Sequence, residues 1–148
     1  MKNFFTGKTV LITGGTGSLG RAIIKNISKY DVRIVVYSRD EGKQALYFGG
    51  SKIERVIGDI RDLEKLKTTM ALYKPNYVIH TAALKRVDDM EFYPEECVKT
   101  NIQGTENVAV ASLLGGVDKC ILVSTDKACN PVNVYGSSKL IAERIFTN

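Results

Sequence analysis

Apolar, β-branched runs alternate along this chain with segments whose apolar residues return at helical spacing. The first run, Thr9-Val10-Leu11-Ile12, predicts a strand over 8–12. Leu19, Ile23 and Ile27 then recur on a helical period and predict a helix from Ser18 to about Tyr30. The same reading places strands at 32–37, 53–57, 77–80 and 120–124. It places helices at 41–48, from Asp62 to Tyr73, from Pro94 to Leu114, and from Val134 to the last residue. Local chemistry agrees with these limits. Asp62 suits an N-cap, Pro94 suits a first helical turn with Glu95 and Glu96 near its positive end, and Gly49-Gly50, Lys74-Pro75 and Gly115-Gly116 are stops.

Five nearly all-apolar strands separated by helices imply a parallel sheet covered on both faces. Right-handed crossovers, with a glycine turn after the first strand, imply an α/β fold of the Rossmann-like, doubly wound kind in strand order 3-2-1-4-5. Ligands of such sheets lie at the carboxyl ends of the strands, and the polar clusters of this chain fall there. A length of 148 residues is one domain, 1–148, with room for a real core.

Charge and cysteine content narrow the function classes. The formal net charge is +5, but the lysines are scattered and form no stripe, which argues against a nucleic-acid partner. No apolar run is long enough to span a membrane, and no charged-then-apolar leader opens the sequence. Cys97, Cys120 and Cys129 are odd in number and form no C-x-x-C pair. Reduced thiols in a cytoplasmic protein, with no metal site, are the expectation.

The glycine turn carries the first chemistry. Gly14, Gly17 and Gly20 give G-x-x-G-x-x-G, with Thr16, Ser18 and Leu19 in the gaps. Bare backbone at a helix N-terminus brings N–H groups and partial positive charge against a pyrophosphate. The spacing is a widened variant of the dinucleotide-binding turn. At the tip of the second strand, Ser38-Arg39-Asp40 and Lys43 decide which dinucleotide. Arg39 offers a planar fork and Lys43 a second cation, which favours the 2′-phosphate of NADP. Asp40 keeps NAD as the alternative, through the ribose hydroxyls. Asp59, ending the third strand, is placed for the adenine amino group, with Ile60 packing beside it. Ala82 and Lys85 follow the fourth strand at the same edge.

Ser124-Thr125-Asp126-Lys127 and the pair Tyr135, Lys139 form the second constellation. Tyr135 and Lys139 are four apart and share a helix face. A free tyrosine has a pKa of ~10, and a neighbouring cation lowers it, so that the phenolate can take a proton from a sugar hydroxyl as hydride leaves the same carbon. Lys139 would also hold the nicotinamide ribose.

Together, T-G-G-T-G-S-L-G, S-R-D, A-A-L-K, S-T-D-K-A and Y-G-S-S-K resemble the extended short-chain dehydrogenase/reductase superfamily. Within it they resemble the C5-inverting UDP-N-acetylglucosamine 4,6-dehydratases of surface-polysaccharide synthesis. That resemblance implies an NADP-dependent lyase acting on a UDP-N-acetylhexosamine without net redox. It implies Tyr135 as the base at the C4 hydroxyl, Lys127 as the base at C5, Asp126 as the acid for the C6 hydroxyl, and Thr125 as a partner of the C4 oxygen. A lysine in water, with a pKa of ~10.4, is no base at neutral pH, so Lys127 needs desolvation or neighbouring cations such as Lys85. Lys85 itself would meet coenzyme phosphate or sugar.

A sister nucleotide-sugar 4-epimerase or reductase is the second reading, disfavoured by Asp126-Lys127. A non-catalytic NADP-binding module is the third, disfavoured by the intact Tyr135–Lys139 pair. His80 reads as a packed, hydrogen-bonded core residue, and Phe92 and Tyr93 as packing residues. By the same resemblance Asn101 fixes local backbone or a water, and the long helices form a homo-oligomer face. Chains of this kind are about twice as long, so this one is expected to be the N-terminal portion, lacking the nucleotide-sugar lobe, with its fifth strand an exposed edge.

Overall fold

A computed structural model describes residues 4–147. Strands β1 (Lys8–Thr13), β2 (Val32–Ser38), β3 (Glu54–Ile57), β4 (Tyr77–His80) and β5 (Lys119–Leu122) form a parallel sheet in the order β3-β2-β1-β4-β5. This is the doubly wound order expected from the alternation of elements. The helices are α1 (Ser18–Ile27), α2 (Glu41–Phe48), α3 (Leu63–Tyr73), α4 (Val87–Phe92), α5 (Pro94–Cys97), α6 (Gly104–Leu114) and α7 (Val134–Thr147). The final residue of the expected last helix, Asn148, lies outside the described residues. Among those described, no helix is long and apolar enough to cross a membrane.

Because side chains alternate across each strand, the sheet builds two cores. On one face Leu11, Val35 and Val78 meet Leu66 and Met70 of α3 and Val108 and Ala111 of α6. On the other, Val10, Ile12, Val36 and Ile79 meet Ile24 and Ile27 of α1 and Phe48 of α2. The buried face of α1 is therefore Gly20, Ile24 and Ile27, and Leu19 is left exposed. Full cover of both faces is corrected at β5. Ile121, which pairs with Ile79 on the α1 side, is 52% exposed, because β5 is an edge that neither α1 nor α2 reaches.

Helix stops work as the local chemistry predicts. Asp62 caps α3 by accepting from the Lys65 N–H at 2.9 Å, and Lys74 closes it in the left-handed region at φ 45°. Three expectations are revised. The Pro94–Leu114 helix is not uniform: a π-helical segment, Val98–Gln103, separates α5 from α6. Phe92 and Tyr93, expected to pack, are 79% and 58% exposed at the end of the short helix α4, which the apolar period did not reveal. The fifth strand begins at Lys119 and ends at Leu122, because its partner β4 ends at His80; after Val123 donates to the His80 carbonyl the chain turns away.

Candidate active site

The carboxyl ends of β1 to β4 and the chain leaving β5 surround a cleft of about 450 Å³. Every residue expected to touch the coenzyme lines it. The glycine turn supplies Gly14, Thr16, Gly17, Ser18, Leu19 and Gly20; the β2 tip supplies Ser38, Arg39, Asp40 and Lys43; Asp59 and Ile60 follow β3; Ala82 and Lys85 follow β4; Tyr135 and Lys139 come from α7. The turn is shaped for backbone approach. Gly14 has φ +68°, and a Cβ there would lie 2.8 Å from the Ala82 backbone.

At the β2 tip the charges are already paired. Asp40 caps α2, its Oδ1 accepting from the Lys43 N–H at 2.8 Å, while its Oδ2 sits 2.9 Å from the Lys43 ammonium. The Lys43 backbone hydrogen bond, then the Lys43 side chain, hold the Asp40 carboxyl below the usual carboxylate range. Both oxygens are thus engaged within the protein. Asp59 is engaged too: its Oδ2 meets Arg61 at 2.8 Å and Arg39 at 3.6 Å, and its Oδ1 accepts from the Arg61 N–H at 3.0 Å. Arg61 continues the ion-pair chain to Glu96 at 3.0 Å, and Glu96 pairs with Lys99 at 2.8 Å.

Behind the cleft runs a buried polar chain. Asn101 closes on the loop after β4 with both ends of its amide, Oδ1 accepting from the Leu84 N–H (2.8 Å) and Nδ2 donating to the Leu84 carbonyl (2.9 Å). It is therefore a backbone clamp, as expected. Nδ2 also reaches the Ser138 hydroxyl on α7 at 3.1 Å. His80 is a buried core histidine, also as expected. Thr105 donates its hydroxyl proton to the Asn101 carbonyl (2.6 Å), so its oxygen accepts from His80 Nε2 (3.1 Å). The other ring nitrogen, Nδ1, then accepts from the Thr13 hydroxyl (2.6 Å). Burial, and secondarily the Lys139 charge, push the imidazole down to about 3, so it stays neutral at physiological pH.

The wider turn of the π-helical segment buries two successive polar residues, Thr100 and Asn101. Thr100 escaped the sequence reading. It lines the cleft at 4% exposure, and its Oγ1 has no partner. Its signal was adjacency to Asn101. Tyr37, Gly58, Thr81, Ala83, Val123 and Ser124 line the cleft as well. All flank strand ends already singled out, so a stricter use of the strand-end rule finds them.

On the α7 side, Lys139 is buried and donates from Nζ to the Val123 carbonyl at 2.7 Å. Burial lowers its pKa, opposed by the Glu143 charge one turn on. Ser124 donates to Glu143. Thr125, Asp126 and Lys127 do not line the cleft. They sit beyond β5 at a 3-10 turn, Asp126–Ala128, where Thr125 donates to Asp126 Oδ1 (3.0 Å) and Lys127 Nζ lies 3.4 Å from the same oxygen. The side chains of Asp126 and Lys127 are 87% and 47% exposed. The Thr125 hydroxyl, then the Lys127 ammonium, hold the Asp126 carboxyl below its usual range. The desolvation expected of Lys127 is not present, because its neighbour is a solvated carboxylate and not a cation. Among the described residues no group of three or more His, Cys, Asp or Glu could hold a metal ion.

A dinucleotide fits these residues on two observations: a turn in which a Cβ at Gly14 would meet the Ala82 backbone, and an unpartnered buried hydroxyl, that of Thr100, on the cleft wall. Comparison with known proteins agrees. The chain is 48% identical over 147 residues to an inverting UDP-N-acetylglucosamine 4,6-dehydratase of Campylobacter jejuni, covering 96% of this chain and 43% of that protein. It is 42% identical over 149 residues to a UDP-glucose 4-epimerase of Rickettsia massiliae, covering 95% and 43%. It superposes on Pen from Bacillus thuringiensis with a TM-score of 0.93 at 40% identity, covering 98% of this chain and 45% of that one. It superposes on WbmG from Bordetella bronchiseptica, solved with NAD and UDP, with a TM-score of 0.82 at 27% identity, covering 93% and 48%. The chain thus spans less than half the length of the curated relatives it matches. With the polysaccharide biosynthesis protein profile matching residues 10–148 and this fold and cleft, the chain belongs to that family, on the extended short-chain dehydrogenase/reductase scaffold.

Proposed function

We propose that residues 1–148 are the coenzyme-binding domain of an NADP-dependent nucleotide-sugar 4,6-dehydratase that acts on UDP-N-acetylglucosamine and inverts C5. The observation that carries the coenzyme reading is the pairing of Asp40. Its carboxylate caps α2 and offsets the Lys43 charge, so the tip keeps one excess positive charge, on Arg39 beside the cleft, which suits a 2′-phosphate better than a ribose diol. NAD in the WbmG complex is the counter-observation.

A bound coenzyme would supply hydride transfer from and back to the sugar. The glycine turn would hold its pyrophosphate, Ser38, Arg39 and Lys43 the adenosine phosphate, Asp59 and Ile60 the adenine, and Lys139 and Thr100 the nicotinamide ribose. Tyr135 takes the proton of the C4 hydroxyl, and Thr125 holds that oxygen. Asp126 and Lys127 start as an ion pair in water. A sugar laid over them removes that water, and a poorly solvated pair favours its neutral form, with the proton moved from ammonium to carboxylate. The result is a free amine beside C5 and a carboxylic acid beside the C6 hydroxyl, the base and the acid that elimination of water requires. Covering by substrate thus supplies the desolvation that the turn itself lacks.

The epimerase reading is supported by the Rickettsia relative. We place the protein in the cytoplasm and propose self-association through the two long helical stretches, 94–114 and α7, where Val98 and Ile141 are exposed. The test is to incubate the natural full-length product with UDP-N-acetylglucosamine and NADP and follow substrate mass. Loss of one water supports the dehydratase. An isomer of unchanged mass replaces it with the epimerase, and no turnover leaves the binding module.

A further inference from the structure

Gln44 of α2 is buried between β2 and β3, and its amide is unevenly satisfied. Nε2 donates to the Val56 carbonyl (2.8 Å), the Ser38 carbonyl (3.0 Å) and the Ser38 hydroxyl (2.9 Å). Oε1 has no partner. The orientation is forced, since a flipped amide would set Oε1 against two carbonyl oxygens. Two protons serve three acceptors, so one goes to Val56 and the other is shared between the carbonyl and hydroxyl of Ser38. A buried, uncompensated acceptor is unfavourable. An aliphatic side chain of the same length would avoid it but would strand the Val56 carbonyl instead, so the site uses the donors of Gln44 at the cost of one unpaired oxygen.

The consequence lies at Ser38. Its Oγ faces a donor, so it cannot give its own proton to Gln44, and no other acceptor for that proton lies within reach among the described residues. Ser38 lines the cleft between the turn and Arg39. We infer that Gln44 is a positioning residue that makes the Ser38 hydroxyl a hydrogen-bond donor facing the cleft, and thereby sets the preference for a phosphorylated over a free ribose 2′ position. The inference rests on the coenzyme reading above. A 2′-phosphate accepts only, and a charge-assisted bond to it is roughly twice as strong as one to a neutral hydroxyl. Donor Ser38 therefore rewards the phosphate more than the hydroxyl.

The test is calorimetric titration of the 148-residue chain with NADP and with NAD, for the wild type, Gln44→Met, Ser38→Ala and the double variant. The wild type is expected to prefer NADP. Each single variant is expected to lower the NADP:NAD affinity ratio about 10-fold, and the double variant no further than either single one. If Gln44 only ties α2 to the sheet, Gln44→Met weakens both coenzymes equally, and an unchanged ratio overturns the inference. So does a double variant whose losses add. If Gln44→Met does not fold, Ser38→Ala decides alone, because an unchanged ratio there removes the donor on which the inference stands. A wild type without NADP preference overturns the coenzyme reading itself, a failure visible before any variant is made.

Discussion

His80 makes the stability of this protein depend on pH in a window that can be isolated, because the chain contains one histidine. Folded, the imidazole is held down to about 3 by burial and by the Lys139 charge; unfolded, it titrates near 6.5. The unfolded state therefore binds a proton that the folded state refuses wherever the pH lies between those values. Stability is full above about 6.5 and is lost as the pH falls toward 3. From pH 7 to pH 5.5 linkage gives a loss of roughly 1 kcal/mol or slightly more, and the loss continues to grow below that. For a domain of this size the loss corresponds to a melting point lower by roughly 3–5 °C. Urea titrations at the two pH values measure it directly. His80→Gln is the control. A glutamine can accept from Thr13 and donate to Thr105 as the ring does, but it does not titrate, so its stability should be flat across the window. Equal wild-type stability at pH 7 and 5.5, or the same slope in His80→Gln, would refute the buried, neutral assignment.

Two further substitutions test the glycine turn and the backbone clamp. Gly20→Ala sets helix propensity against packing. Alanine gains up to about 1 kcal/mol within a helix, but its Cβ would lie 2.6 Å from Gly15 Cα and 2.7 Å from the Gly14 carbonyl oxygen. Overpacking of ~1–3 kcal/mol against backbone should win. A lower urea midpoint and weaker NADP binding are expected, and a variant as stable and as tight as wild type would show that α1 need not approach the turn so closely. Asn101→Leu strands the Leu84 N–H and carbonyl, for an expected cost of about 2–4 kcal/mol. A change under about 1 kcal/mol in the same assay would show that water or a shifted loop replaces the amide.

The glycine turn and the helix caps were legible in the residues themselves, because each depends on contacts within one or two turns of chain, and the order of the sheet followed from the crossover rules for parallel strands. Alternating apolar runs dictate a parallel sheet, and Asp40 or Asp62 needs only its neighbour three residues on to act as a cap. Residues at strand ends could also be nominated from sequence, since a parallel sheet brings all of its carboxyl ends to one edge. Tertiary structure decided the rest. Whether Phe92 packs or meets solvent, and which proton His80 keeps, are set by partners on other elements or by the absence of cover. Thr100 shows the difference most plainly. A threonine inside an apolar helix pattern carries no signal of its own, and only the π-helical turn, packed against α7 and tied to the loop after β4, leaves its hydroxyl buried, unpaired and on the wall of the cleft.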